Sequence, residues 1–165
     1  PATVPFPGPE ALERRMGRPF LARLGANESA FGPSPQAVEA IEGAARDAWM
    51  YGDPEAFELR EAVADAHGLP PAHVALGQGI DGLLGLLVRL TVAPGTPVVT
   101  AQGAYPTFDY HVAGFGGHLL RVPREDRIDP LALARRAREA GARLLYLSSP
   151  DNPVGNQHDA ALIPR

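Results

Sequence analysis

Apolar positions along the chain follow two patterns, stripes at spacings of three and four and short unbroken runs, and their alternation predicts an α/β fold. Val38, Ile41, Ala45, Ala48 and Trp49 fall on one stripe of a helix that Ser34 caps and Pro35 opens, ending near Tyr51-Gly52. Asp53-Pro54 starts a second helix, with Phe57, Val63 and Ala66 on its inner stripe and Gly68 closing it. At residues 74–90, VALGQGIDGLLGLLVRL, the pattern reads as strand, glycine turn and helix. Leu83, Leu84, Leu86 and Leu87 make that helix apolar on most sides, which predicts that it is buried.

The same alternation continues. Val98 to Ala101 is the next strand, Tyr105 to Val112 a short helix or turn, and His118 to Val122 a third strand. Asp129-Pro130 caps a helix with Leu131, Ala134 and Ala137 facing inward, and Leu144 to Ser148 is the fourth strand. Strands separated by helices at this spacing imply a mostly parallel sheet covered on both faces, a three-layer αβα arrangement. Pro1 to Pro9, four of whose nine residues are proline, reads as an extended arm anchored by Val4 and Phe6, and Glu10 to Met16 as one or two helical turns. The expected division is an arm over residues 1–33, linking helices over 34–70 and the first part of a large domain over 71–165. A sheet with open edges close to the last residue predicts apolar surface that meets further protein.

Composition narrows the chemistry. The 165 residues are 45% apolar and 21% charged, with a formal charge of −4 and a pI near 5.7, which suits a soluble globular chain and opposes a nucleic-acid footprint. The densest basic group, Arg135, Arg136 and Arg138, reads as a solvated helix face. There is no cysteine, so disulfides and thiolate sites are excluded, and the five histidines show no ligand spacing. All 15 basic residues are arginine, so no lysine is present to form an imine with an aldehyde. PATVPFPGPEALERR has neither the basic nor the apolar region of a leader, and no apolar run is long enough to cross a bilayer, so a cytoplasmic setting is expected.

The glycine turn Gly77-Gln78-Gly79 carries the first candidate function. A turn that opens a helix presents free backbone N–H groups and the positive end of the helix dipole, which together favour an anion such as phosphate. A chain reversal without a ligand is the alternative for this turn alone.

Five segments in order, ANESAFGPSP, the tyrosine of YGDPEAFELREAVA, LGQGID, AYPTFDY and SSPDNPVG, resemble the N-terminal part of fold-type-I, pyridoxal-phosphate-dependent aminotransferases, closest to the histidinol-phosphate aminotransferase branch. The last is similar to that family's S-P-N-N-P-T-G loop. The resemblance implies the large-domain fold of that family, a pyridoxal 5'-phosphate cofactor, amino acid and keto acid substrates, and a homodimer of the complete enzyme. It implies that the backbone N–H groups of Ile80 and Asp81 hold the cofactor phosphate. Ile80 stands where a small or hydroxyl residue is common, so a side-chain bond to the phosphate is lost. Tyr105 would lie over the pyridine ring, and Asn152 would donate its amide to the phenolic oxygen. Tyr51 would reach the phosphate of a neighbouring subunit, and Asn27 would lie by the substrate. The family's imine-forming lysine, the aspartate at its ring nitrogen, a second phosphate ligand and its substrate-clamping arginine all follow the S-P-N-N-P-T-G loop and have no counterpart in these residues. A non-catalytic α/β module that holds a phosphorylated ligand on the same turn is the rival reading.

Overall fold

The structure, a computed structural model, describes residues 7–25, 27–124 and 126–162; the expected anchors Val4 and Phe6 lie outside them. It divides into two compact units, Gly8–Leu76 and the part from Gly77 onward.

The first unit is helical: α1 (Pro9–Met16), α2 (Pro35–Ala44), a 3-10 turn at Ala45–Asp47, α3 (Phe57–His67) and a second 3-10 turn at Pro71–His73. Two of its ends are set as the sequence indicates, the start of α2 and the end of α3, whereas α2 stops at Ala44 and continues only as the 3-10 turn to Asp47, short of the expected Tyr51-Gly52, and α3 starts at Phe57. Ser34 Oγ accepts from the Ala37 N–H at 3.2 Å with Pro35 at the first helical position, and Gly68 closes α3 in the left-handed region. Asp53 acts four residues ahead of α3, accepting from the Glu55 N–H at 3.0 Å and the Phe57 N–H at 2.8 Å. The expected inner stripes are not covered within this unit: Val38, Ile41 and Phe57 are exposed and Trp49 is 82% exposed, while Ala64 is buried. Two short amphipathic helices have too few neighbours to bury both stripes. The apolar run Val74, Ala75 and Leu76 is extended at Val74 but joins no ladder, which corrects the expected first strand. Three residues without a neighbouring strand have nothing to pair with.

The second unit holds the sheet. It runs α4 (Gly79–Thr91), β1 (Pro97–Ala101), α5 (Pro106–Gly114), β2 (His118–Val122), α6 (Pro130–Glu139) and β3 (Leu144–Leu145), with a 3-10 turn at Ala160–Leu162. The strand order is β2-β1-β3 and both pairings are parallel, Val99 facing Leu120 on one side and Leu145 on the other. The expected fourth strand is shorter in the ladder, although the Tyr146 N–H still donates to the Val99 carbonyl at 2.9 Å.

Alternation along β1 builds the three layers. Val98 packs with Leu84, Val88, Val92, Phe108 and Val112 of the α4 and α5 side. Val99 and Ala101 pack with Ile128 and Leu133 on the α6 side. Fully burying each larger side chain contributes about 1.5–3 kcal/mol relative to exposure. Two expectations change here. α4 is buried only along Leu84 and Val88, leaving Leu86, Leu87 and Leu90 exposed, because one sheet covers one side of one helix. On α6 the buried leucine is Leu133, while Leu131 is 45% exposed; Asp129 takes the Leu131 N–H at 2.8 Å as the cap, which puts Leu131 on the opening turn.

Candidate functional site

The carboxyl ends of parallel strands are where loops converge in such sheets; of the six residues that the sequence singles out, Tyr105 and Asn152 lie in such loops, and Ile80 and Asp81, at the start of α4, are tied to Tyr105 through the Asp81 side chain. After β1 the chain runs Gln102-Gly103-Ala104-Tyr105 into α5. Pro106 at the first position of α5 keeps Tyr105 out of the helical region, at φ −54° and ψ 118°, so its ring stands at the mouth of the helix. The Tyr105 hydroxyl donates to Asp81 Oδ2 at 3.2 Å, which ties it to the first turn of α4.

That first turn has the geometry of an anion site. Gly79, at φ +68°, adopts a conformation that a side chain would strain, and the chain turns there into a 13-residue helix with no side-chain cap. Among the described residues, no acceptor meets the Ile80 and Asp81 N–H groups. Asp81 Oδ1 is buried and also without a partner, so a ligand at this turn meets two backbone donors beside one carboxylate. The Ile80 side chain points into open surface, 66% exposed.

The loop after β3 carries Asn152 and is folded on itself. Ser148 Oγ donates to Asp151 Oδ1 at 3.3 Å and accepts from the Asn152 N–H at 3.4 Å. The Asp151 carbonyl accepts from Gly155 at 2.7 Å, and the Asp151 N–H donates to the Asn156 carbonyl at 2.8 Å. Asn152 is half-buried in this folded loop.

Two residues here escaped the sequence reading. Tyr146 stacks on Phe108 with centroids 4.5 Å apart. Burial pushes its phenol pKa up; the Ser148 hydroxyl pulls it back, and Tyr105, Asp151 and Asp81 push it further up. The signal available was an aromatic residue inside an otherwise aliphatic run. The second is Asp151, whose side chain is 1% exposed and paired with Arg124 at 3.0 Å. Its signal was an aspartate where the similar loop has asparagine.

Tyr51 and Asn27 belong to the Gly8–Leu76 unit, both on its surface, Tyr51 fully exposed. Among the described residues no three His, Cys, Asp or Glu side chains gather as a metal site, and no helix is long and apolar enough to cross a membrane.

No family model matches the chain. It is 33% identical over 154 residues to the histidinol-phosphate aminotransferase of Roseiflexus castenholzii, covering 88% of this chain and 42% of that protein. The chloroplastic histidinol-phosphate aminotransferase of Nicotiana tabacum is 32% identical over 157 residues, 93% of this chain and 37% of that one. Among solved structures, histidinol-phosphate aminotransferase from Sinorhizobium meliloti in complex with pyridoxal-5'-phosphate superposes with a TM-score of 0.87 at 55% identity, over 90% of this chain and 41% of that one. N-succinyldiaminopimelate aminotransferase from Mycobacterium tuberculosis gives 0.73 at 26% identity, over 93% and 43%. The chain thus spans about two fifths of the length of the relatives it matches.

Proposed function

Because the chain is similar, over nine-tenths of its length, to part of the histidinol-phosphate aminotransferases, we propose that it supplies the phosphate and ring-binding portion of a pyridoxal-phosphate-dependent aminotransferase. The complete protein would move an amino group between an amino acid and a keto compound in amino-acid biosynthesis. The observation that carries this is the uncapped start of α4, where the Ile80 and Asp81 N–H groups are unmatched and the Asp81 carboxylate accepts from the Tyr105 hydroxyl.

The residues present fit two ends of the cofactor. Ile80 and Asp81 would hold its phosphate through backbone N–H groups, the interaction that helix N-termini offer anions. Tyr105, with its hydroxyl fixed on Asp81, would offer a flat face to the ring. The Asn152 side-chain amide, unlike its backbone N–H, makes no hydrogen bond among the described residues and would donate to the phenolic oxygen, favouring its anionic form. When bound, the cofactor supplies an aldehyde and an electron-withdrawing ring. The aldehyde has no partner among these residues, since none is lysine, so the amine that holds it would come from elsewhere in the complete protein. Tyr51 would complete the phosphate site of a second subunit in a homodimer, Asn27 would lie beside substrate, and a cytoplasmic setting suits the lack of cysteine.

Borohydride reduction of the complete protein with bound pyridoxal phosphate, followed by peptide mass mapping, tests this. The expected adduct lies on a lysine outside residues 1–165. An adduct on one of these residues, or no cofactor binding by the complete protein, would overturn the assignment.

A further inference from the structure

We propose that Arg124 is a positioning residue whose ion pair with Asp151 holds the loop of Asn152 and the turn of Tyr105 in one arrangement. The inference rests on the function proposed above for what those two side chains contact, and on the geometry alone for how they are held.

Arg124 follows β2 directly, one residue past Pro123, and its guanidinium reaches over both neighbouring loops. Nη1 donates to Asp151 Oδ2 at 3.0 Å. Nη2 lies against the turn after β1, 3.5 Å from where a Cβ on Gly103 would stand. Gly103 lies two residues before Tyr105, and Asp151 immediately precedes Asn152. One side chain therefore touches the loops after all three strands, β1 and β3 by contact and β2 by its own backbone.

The buried charge makes the contact consequential. The Asp151 side chain is 1% exposed and that of Arg124 19%, so the carboxylate depends on its protein partners in place of water. Those partners are Arg124 at one oxygen and the Ser148 hydroxyl at the other, and Ser148 Oγ also receives the Asn152 N–H. The chain Arg124, Asp151, Ser148, Asn152 passes the position of the guanidinium to the backbone that carries the amide. The similar S-P-N-N-P-T-G loop has a neutral asparagine where this chain has Asp151; the carboxylate creates a need that Arg124 meets.

The test compares wild type, Arg124→Gln, Arg124→Lys and Arg124→Gln/Asp151→Asn in the complete protein. The first readout, made without cofactor, is hydrogen exchange at the Asp151 and Gly155 amides, which the folded loop protects. The second is pyridoxal phosphate affinity together with the pH at which its bound visible absorbance changes. In Arg124→Gln the two amides should exchange faster, and affinity should fall roughly tenfold, the scale of one charge-assisted hydrogen bond. The absorbance change should move to higher pH, because a displaced Asn152 amide no longer favours the phenolic anion. Removing the orphaned carboxylate as well should return most of each change, and Arg124→Lys should shift the same readouts less. Wild-type exchange and absorbance in Arg124→Gln, or a double variant no better than the single, would overturn the inference. If Arg124→Gln does not accumulate folded, Arg124→Lys decides: shifted readouts support the clamp and wild-type values overturn it. Failure of the wild type to bind cofactor sinks the function and leaves the exchange arm to judge the clamp.

Discussion

The two units start from equally strong sequence patterns and end with different cores. From Gly77 onward, β1 places Val98 and Val99 on opposite faces, helices cover both, and Val88, Phe108, Val112 and Leu133 are buried. In Gly8–Leu76 the stripe of α2 and its extension is just as regular, yet Ile41 is 66% and Trp49 82% exposed. Periodicity identifies the face that favours cover. What covers it depends on chain that lies elsewhere, and a sheet recruits its own cover through short crossovers whereas a pair of short helices does not.

The largest expected contrast follows from that difference. Phe108→Ala should destabilise the second unit by about 3–5 kcal/mol, whereas Trp49→Ala should change the stability of the 165-residue chain by less than about 0.5 kcal/mol, as judged by denaturant unfolding. A comparable cost for both would mean that the α2 face is covered after all.

Glycines sharpen the contrast at smaller scale. A Cβ on Gly117 would stand 2.7 Å from both Val112 Cγ1 and Val92 Cγ1, so Gly117→Ala should cost about 1–3 kcal/mol by overpacking. Gly43 in α2 has nothing within 4 Å of that position, and Gly43→Ala should stabilise its helix by about 0.5–1 kcal/mol. Thermal melting of the two variants should move in opposite directions.

The smallest effect is acid fraying of α3. The Phe57 and Glu55 N–H groups hold the Asp53 carboxyl below its usual pKa, with Arg60 adding to the effect against slight desolvation. A carboxyl whose folded pKa is depressed stabilises the fold above its unfolded pKa and loses that contribution as pH falls through the folded value. The protection factors of the Glu55 and Phe57 amides, that is exchange corrected for its intrinsic pH dependence, should therefore fall as pH is lowered through the acidic range, and Asp53→Asn should blunt the dependence.

Much of the local backbone geometry was legible because it is set within a few residues. Ser34-Pro35, Gly79 and Tyr105-Pro106 each fix a backbone conformation within a few residues, and all three stand where the sequence puts them. What stayed hidden depends on partners distant in sequence. Nothing around Val74, Ala75 and Leu76 announces that no strand pairs with them. Leu131 and Leu133 are equally apolar, and the cap at Asp129 together with the sheet decides which is buried. The Arg124–Asp151 pair joins residues 27 apart, and no local pattern couples them.

The start of α4 is proposed to hold the phosphate of the cofactor through backbone donors. Amide hydrogen exchange of the complete protein, resolved at Ile80 and Asp81 with and without pyridoxal phosphate, tests it most directly. Both amides should slow when the cofactor binds, and inorganic phosphate should slow them to a lesser degree. Cofactor binding with unchanged exchange at Ile80 and Asp81 would contradict it.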